Sequence, residues 1–548
     1  LFRRRICISR NMRSSIEISP IELEIFKNRF SSIAEEMGVV LQRTSYSPNI
    51  KERRDFSCAI FDEDGEMVSQ ALHIPVHLGS MSWAVKSAIS ELELKDGDMV
   101  IVNDPFRGGT HLPDITIISP FFYKDELCFF VANRAHHADI GGISAGSMPI
   151  SNSIFQEGLI IPPVKIMKEG RIQEDILQMI LRNVRTPEER KGDLEAQIMA
   201  NIVGKRRIKE LIEKEGIEKV KAYSTAIIDY AERLMRDLIR KIPDGIYEFE
   251  DFLDDDGFGN ERLRIKCRLR IDEDEVEVDL SESDPQTKGC VNSVYGVVSS
   301  AVLYVFRSLI EEDIPANAGC MRPIRVITKK RTILDAEFPS AVSGGNVETS
   351  QRIVDAVLGA LSKAIPERIP AASQGTMNNI SIGGIDPDSE RPFAYYETIG
   401  GGMGASAKGD GEDAIQCHMT NTMNTPIEAL EYSYPLMVRK YCIRKGSGGR
   451  GRYKGGDGIV KEILLLADSE VTVLSERRKI PPYGLYGGMP GKTGKNIIIR
   501  NGKEIEYSGK FSALFKKGDI IRIETPGGGG FGSVQDHSKD CREKDKRG

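Results

Sequence analysis

Residues 103–142, NDPFRGGTHLPDITIISPFFYKDELCFFVANRAHHADIGG, constrain this chain more than any other stretch. Ile115–Phe122 and Leu127–Ala132 are apolar, β-rich runs, and the polar Tyr123-Lys124-Asp125-Glu126 between them suits a turn. The pattern predicts a β-hairpin. With Lys124 and Asp125 as the turn, Tyr123 faces Glu126. Pro113 then falls opposite His136, and His111 opposite Ala138.

That pairing gathers His111 and Asp114 beside His136, His137 and Asp139. Imidazole and carboxylate are ligand types suited to Zn, Mn or Fe. Neighbouring strand residues face opposite ways, so one of His136 and His137 is expected to be a ligand. The other is expected to orient it or to act in catalysis. A regular strand would also split His111 from Asp114, but Pro113 marks a bend that turns both inward. A hairpin whose histidines are merely hydrogen-bonded is the simpler alternative. Five groups converging through one register favour the metal site.

Five of the seven histidines lie between positions 73 and 137, and His77 is expected to line the same cavity. Before the hairpin, a helix is predicted over 19–44, with Ser19 as N-cap and Pro20 at the first helical position. Phe56–Phe61 and the segment from Met67 read as paired strands. The charge-dense Glu52-Arg53-Arg54-Asp55 is either a solvated loop or an anion or carboxylate clamp. Met99–Val102 is a short strand that leads into the hairpin.

Downstream the periodicity changes. Residues 172–245 read as helical, and 246–282 as half-buried antiparallel strands. A buried helix begins near 293. Gly344-Gly345-Asn346 leads into another helix that Thr349 or Ser350 could cap. His418, Glu428 and Glu431 sit in a region dense in Gly, Asn and Thr, whose glycine loops are expected to wall a cavity. Residues 441–532 are short strands and turns, with Asn501-Gly502 as a strong hairpin signal. The fold class is therefore α+β and multidomain, with mixed antiparallel sheets, a helical insertion and a small C-terminal β-domain. The expected divisions are a metal-site domain over 14–171, helices over 172–245, an α/β domain over 246–440, the β-domain over 441–532 and a charged tail over 533–548.

The chain has 548 residues, more than one core accommodates. With 28% charged residues and a net charge of −6, it carries no basic footprint for nucleic acid. Nine scattered cysteines without C-x-x-C spacing suit reduced thiols in a cytoplasm. Neither a secretory leader nor a membrane-spanning run is expected. The glycine runs at 400–404 and 525–532 lack the Lys-Ser/Thr ending of a P-loop and the strand–helix context of a dinucleotide site. No nucleotide site is expected.

In order along the chain, NDPFRGGTHLPDI, RAHHADIGG, GGNVETSQRIVDA, NTPIEALEYSYP and SGGRGRYKGGDG resemble the hydantoinase B family. That family includes N-methylhydantoinase and 5-oxoprolinase B components and is related to the large subunits of acetone and acetophenone carboxylases. The resemblance implies one component of a two-component, ATP-dependent cyclic amide hydrolase. A hydantoinase A-type ATPase subunit would bind ATP and phosphorylate the substrate, and this chain would carry a divalent metal (Zn, Mn or Fe). Carried over, the metal ligands are His111, Asp114 and His136. His137 and Asp139 would move a proton or orient a ligand. The alternatives are a subunit of an ATP-dependent ketone carboxylase and a non-catalytic metal-binding scaffold.

Overall fold

The computed structural model describes residues 16–535, other than 72 and 312. The chain termini, including most of the expected charged tail, lie outside the described residues. The fold combines helices with four mainly antiparallel sheets.

The largest sheet has seven strands: β1 (Phe56–Asp62), β2 (Met67–Gln70), β3 (Met99–Val102), β4 (Asp114–Tyr123), β5 (Glu126–His136), β6 (Val164–Lys168) and β7 (Arg171–Ile172). Their order is β2-β1-β5-β4-β3-β6-β7, antiparallel throughout. The predicted hairpin is β4–β5, at the centre of this sheet. Lys124 and Asp125 have φ of 51° and 65°, the left-handed pair that a two-residue type I′ turn requires.

The register differs from the expectation by one residue. Tyr123 pairs with Glu126 and Phe122 with Leu127, but Phe121 pairs with Phe129. Cys128 is an extra residue on β5, a β-bulge. Every pair beyond it is shifted, so Asp114, not Pro113, lies opposite His136. Nothing in the apolar run marks the bulge, because Leu127, Cys128 and Phe129 are all acceptable in a buried strand. Pro120 is tolerated in β4 because the β3 ladder ends at Ile118.

Helices cover both faces of this sheet. Pro20–Thr44 and Pro187–Glu215 bury Phe30, Met37 and Ala200 against Phe129, Val131 and Ala135 on one face. Met81–Glu91 packs Met81, Ala84 and Val85 against Val100, Phe130 and Ala132 on the other. Ser19 and Ser80 are N-caps by backbone position, but neither side chain caps. The helical stretch consists of Glu174–Arg182, Pro187–Glu215 and Ile217–Ile239.

A second sheet contains Gly245–Asp255, Glu261–Asp272, Glu275–Asp279 and Ile324–Ile327, the last two parallel. It shares the largest apolar core with the helices Tyr295–Ser308 and Ser350–Leu361. The third sheet joins residues on both sides of position 440. It pairs Asn379–Ile385 and Pro392–Glu397 with Ser469–Leu474 and Lys510–Phe515. The fourth has five strands between Leu436 and Glu524, including the Asn501-Gly502 hairpin. No helix among the described residues is long and apolar enough to cross a membrane.

One buried carboxyl ties two distant segments together. Glu157 Oε1 accepts hydrogen bonds from Ser151 Oγ at 2.6 Å and from the backbone N–H groups of Val342 and Ser343 at 2.9 and 3.0 Å. Burial nevertheless pushes its pKa up from 4.5 to about 7. A carboxyl raised by folding stabilises the protein fully below its unfolded pKa, and that contribution is lost as pH rises through the folded value. Stability should therefore decline from about pH 5 to about pH 8, by up to roughly 3 kcal/mol from this group. Glu157→Gln, which fixes a neutral side chain, should flatten that decline in urea titrations. An unchanged slope would mean that the buried carboxyl does not titrate in this range.

Candidate metal centre

The turn Thr110–Asp114 opens β4. Asp114 N–H donates to His111 O at 3.1 Å, which closes the bend at Pro113 and brings both side chains inward. His136, the last residue of β5, is the cross-strand partner of Asp114, so their side chains share a face. His111 Nε2, His136 Nδ1 and Asp114 Oδ1 form a near-equilateral triangle, with separations of 3.2, 3.5 and 3.5 Å. Atoms that share a metal at about 2.0–2.1 Å in a tetrahedral shell lie roughly 3.4 Å apart. The triangle fits that spacing, and these three residues could hold one ion.

All three are buried. Burial pushes the His111 imidazole down to about 3, so it is neutral and has a lone pair to give. Burial alone would raise the Asp114 carboxyl, but the neighbouring His111 and His77 imidazoles hold it well below the usual carboxylate range. The other oxygen, Asp114 Oδ2, accepts from Thr110 Oγ1 at 2.6 Å and from Asn346 Nδ2 at 3.3 Å. His77 Nε2 lies 3.3 Å from the same oxygen, and its Nδ1 meets Ser57 Oγ at 2.9 Å. The carboxylate is thus gripped on one side and free on the side of the two imidazoles.

The rest of the wall comes from distant sequence. Tyr396 stacks on His136, with ring centroids 4.5 Å apart and planes 11° apart, and its hydroxyl donates to Asn379 Oδ1 at 2.7 Å. The fully buried Arg53 donates to Tyr396 O and to Thr398 Oγ1. Within the charge-dense 52–55 segment, Arg53 is therefore buried rather than solvated, and its hydrogen bonds go to neutral oxygens, with the Asp55 carboxylate 3.7 Å away, while Arg54 is exposed. The segment also brings Asp55 into the cavity wall, where Asp55 O accepts from His136 N–H at 2.9 Å. The enclosed space is about 20 Å³, enough for a single water-sized occupant. His77 lines it, as expected, with Met419 and Thr420.

His137 and Asp139 are placed elsewhere. His137 points to the opposite face of the sheet, where its Nε2 meets Gln197 Oε1 at 2.9 Å. Burial pushes it down to about 4. Asp139 pairs with Arg185 at 2.8 Å and accepts the Arg185 backbone N–H at 2.7 Å. His418 lies 3.6 Å from Asp355, and Glu431 accepts from the Val438 N–H. The glycines of 400–404 do not line this cavity. They allow close backbone packing instead, with Gly402 against Gly456 and Gly528. Sequence reasoning missed Asp55, Asn346 and Tyr396 as wall residues. A polar GGN segment and a charged ERRD segment were their only signals.

The chain also matches known proteins along nearly its whole length. The hydantoinase B/oxoprolinase family matches residues 19–534. The chain is 42% identical over 527 residues to a 5-oxoprolinase of Dictyostelium discoideum, covering 94% of this chain but 40% of that protein. It is 32% identical to a protein of Pseudomonas sp. (strain NS671) named as a putative D-/L-hydantoinase subunit, covering 94% and 90%. Among solved structures it resembles the ATP-dependent caprolactamase of Pseudomonas jessenii, with a TM-score of 0.88, 31% identity and coverage of 94% and 91%. An acetone carboxylase shares the fold, with a TM-score of 0.88 at 19% identity and coverage of 94% and 76%. With that extent of match, the chain belongs to the hydantoinase B/oxoprolinase family.

Proposed function

We propose that this chain is the metal-bearing subunit of a cytoplasmic, ATP-dependent cyclic amide hydrolase. It would act on a small lactam or hydantoin that a separate ATPase subunit has activated. The buried triangle of His111 Nε2, His136 Nδ1 and Asp114 Oδ1 carries this reading. Two relatives support the division of labour. One is named as a subunit, and the other is a longer single chain of which this sequence spans 40%.

An unstrained cyclic amide is a poor electrophile. Phosphorylation of its carbonyl oxygen makes the carbon attackable. A divalent ion (Zn, Mn or Fe) held here would supply Lewis acidity and lower the pKa of water toward neutrality. The chain's own groups prepare the site for it. His111, Asp114 and His136 bind. Thr110 and His77 fix the rotation of the Asp114 carboxylate, as outer-shell groups do. Tyr396 and the apolar Ile74, Val76 and Met419 exclude bulk water. His137 and Asp139 serve this site as positioning residues: Gln197 anchors the end of β5 through His137, and Arg185 holds the following loop through Asp139.

The test is co-expression with an ATPase subunit of the hydantoinase A type, followed by a screen of lactams, hydantoins and ketones for ATP consumption and ring opening. The expected outcome is ATP-coupled ring opening of a cyclic amide by the pair and no turnover by either component alone. Ring opening by the isolated chain without ATP would refute the proposal. Bicarbonate-dependent ATP use with a ketone would move it to the carboxylase branch.

A further inference from the structure

Asn346 has a chemical capacity that ion binding leaves unused. It lies in the π-turn Gly345–Thr349, at the entry to the helix Ser350–Leu361. Widened turns of this kind recur at functional sites. Its position is fixed from behind, because a Cβ at Gly345 would lie 1.8 Å from Asn292 O. Asn346 Nδ2 donates to Asp114 Oδ2. An ionised carboxylate only accepts, so the amide can sit only this way round. Asn346 Oδ1 is therefore turned away from Asp114. It is buried, has no hydrogen-bond partner, and belongs to a residue that lines the cavity. A buried carbonyl oxygen without a donor is unfavourable, and a water brought to the site would supply that donor.

We propose that Asn346 is a catalytic residue that accepts a hydrogen bond from the attacking water and so directs its lone pair at the activated carbon. The proposal rests on the ring-opening function above. An amide oxygen cannot take up a proton, so Asn346 orients the water and does not deprotonate it. Water adds to the phosphorylated ring at its C=N bond, with the oxygen bonding to carbon and one hydrogen going to nitrogen. The C–N bond then breaks as the second hydrogen follows to nitrogen. The products of this step are a free amine and an acyl phosphate. A second water converts the acyl phosphate to carboxylate and inorganic phosphate.

The experiment compares water with a competing nucleophile. The chain, paired with its ATPase subunit, is assayed with a cyclic amide that the wild type opens, in the presence of hydroxylamine. Amino acid is measured together with metal content and with the ring-retaining amidoxime, which forms when the hydroxylamine nitrogen bonds to the same carbon and phosphate leaves. Asn346→Ala and the near-isosteric Asn346→Leu should keep their metal. Their hydrolysis rate should fall about 10–100-fold, and their amidoxime-to-acid ratio should rise at least about fivefold, because only water loses its guide. Equal loss of both products would overturn the proposal and leave Asn346 a structural role. Loss of metal in both variants would overturn it in favour of a role for Asn346 in holding the Asp114 carboxylate or the ion. A wild-type pair that opens no cyclic amide with ATP would instead defeat the underlying function.

Discussion

Asp114→Ala is expected to abolish ATP-coupled turnover and to empty the metal site. Asp114 is the only carboxylate in the triangle, and its Oδ1 lies 3.5 Å from both partner nitrogens. Lewis-acid assistance contributes several kcal/mol, and each 1.36 kcal/mol is tenfold in rate. Turnover should therefore fall by about 10³-fold or more. His111→Ala and His136→Ala should behave alike, since each removes one corner. Metal analysis of the purified variants, beside ATP-coupled assays with the partner, decides the matter. Asp114→Ala should also lower stability, because Thr110, His77 and Asn346 lose a shared acceptor. Asp114→Asn keeps the shape and tests the charge alone. Full metal content and full turnover in all these variants would remove the site from the chemistry.

The second large effect is on folding. Arg477 is fully buried, and its Nη2 lies 2.6 Å from both Asp251 Oδ2 and Asp355 Oδ2. Arg352 reaches the same two carboxylates at 3.3 and 3.5 Å and Glu476 at 3.6 Å, and Glu476 in turn pairs with Lys510. Burial raises the Asp251 and Asp355 carboxyls, and Arg352 beside Asp251, with His418 and Arg352 beside Asp355, offsets only part of that rise. The participants come from the second sheet, the helix Ser350–Leu361 and the third sheet, so the network rivets three layers together. Arg477→Met leaves two buried carboxylates short of a cation and should cost about 3–5 kcal/mol. The double change Arg477→Met with Asp355→Leu removes charge of both signs and should cost less than the single change. Urea midpoints measure both. A midpoint for Arg477→Met within error of the wild type would show that the network carries little stability.

The hairpin, its turn, and the grouping of His111 and Asp114 with His136 were legible from sequence, because local periodicity and a short turn determine them. The sequence also indicated that His136 and His137 face opposite ways, as strand geometry requires. The far wall was not legible. Arg53 reaches the site through Tyr396 and Thr398, more than three hundred positions away, and Asn346 through a π-turn that no propensity reports. The glycine runs suggested cavity walls. Gly402 instead meets the backbone of Gly456 and Gly528, a close approach that composition cannot distinguish from ligand contact.

The Cys128 bulge makes the hairpin a vernier. His111 and His136 are 25 positions apart, and the surplus residue near the turn sets which strand position meets His136 at the other end. Pairing Cys128 regularly, with no bulge, would slide β5 by one step and turn its side chains to the other face, sending His136 toward the helices and His137 toward Asp114. Chain length between the two imidazoles is therefore under tighter constraint than residue identity. Within this ribbon, substitutions can accumulate, whereas a lone insertion or deletion in the paired strands beyond the bulge would pull apart the triangle of His111, Asp114 and His136.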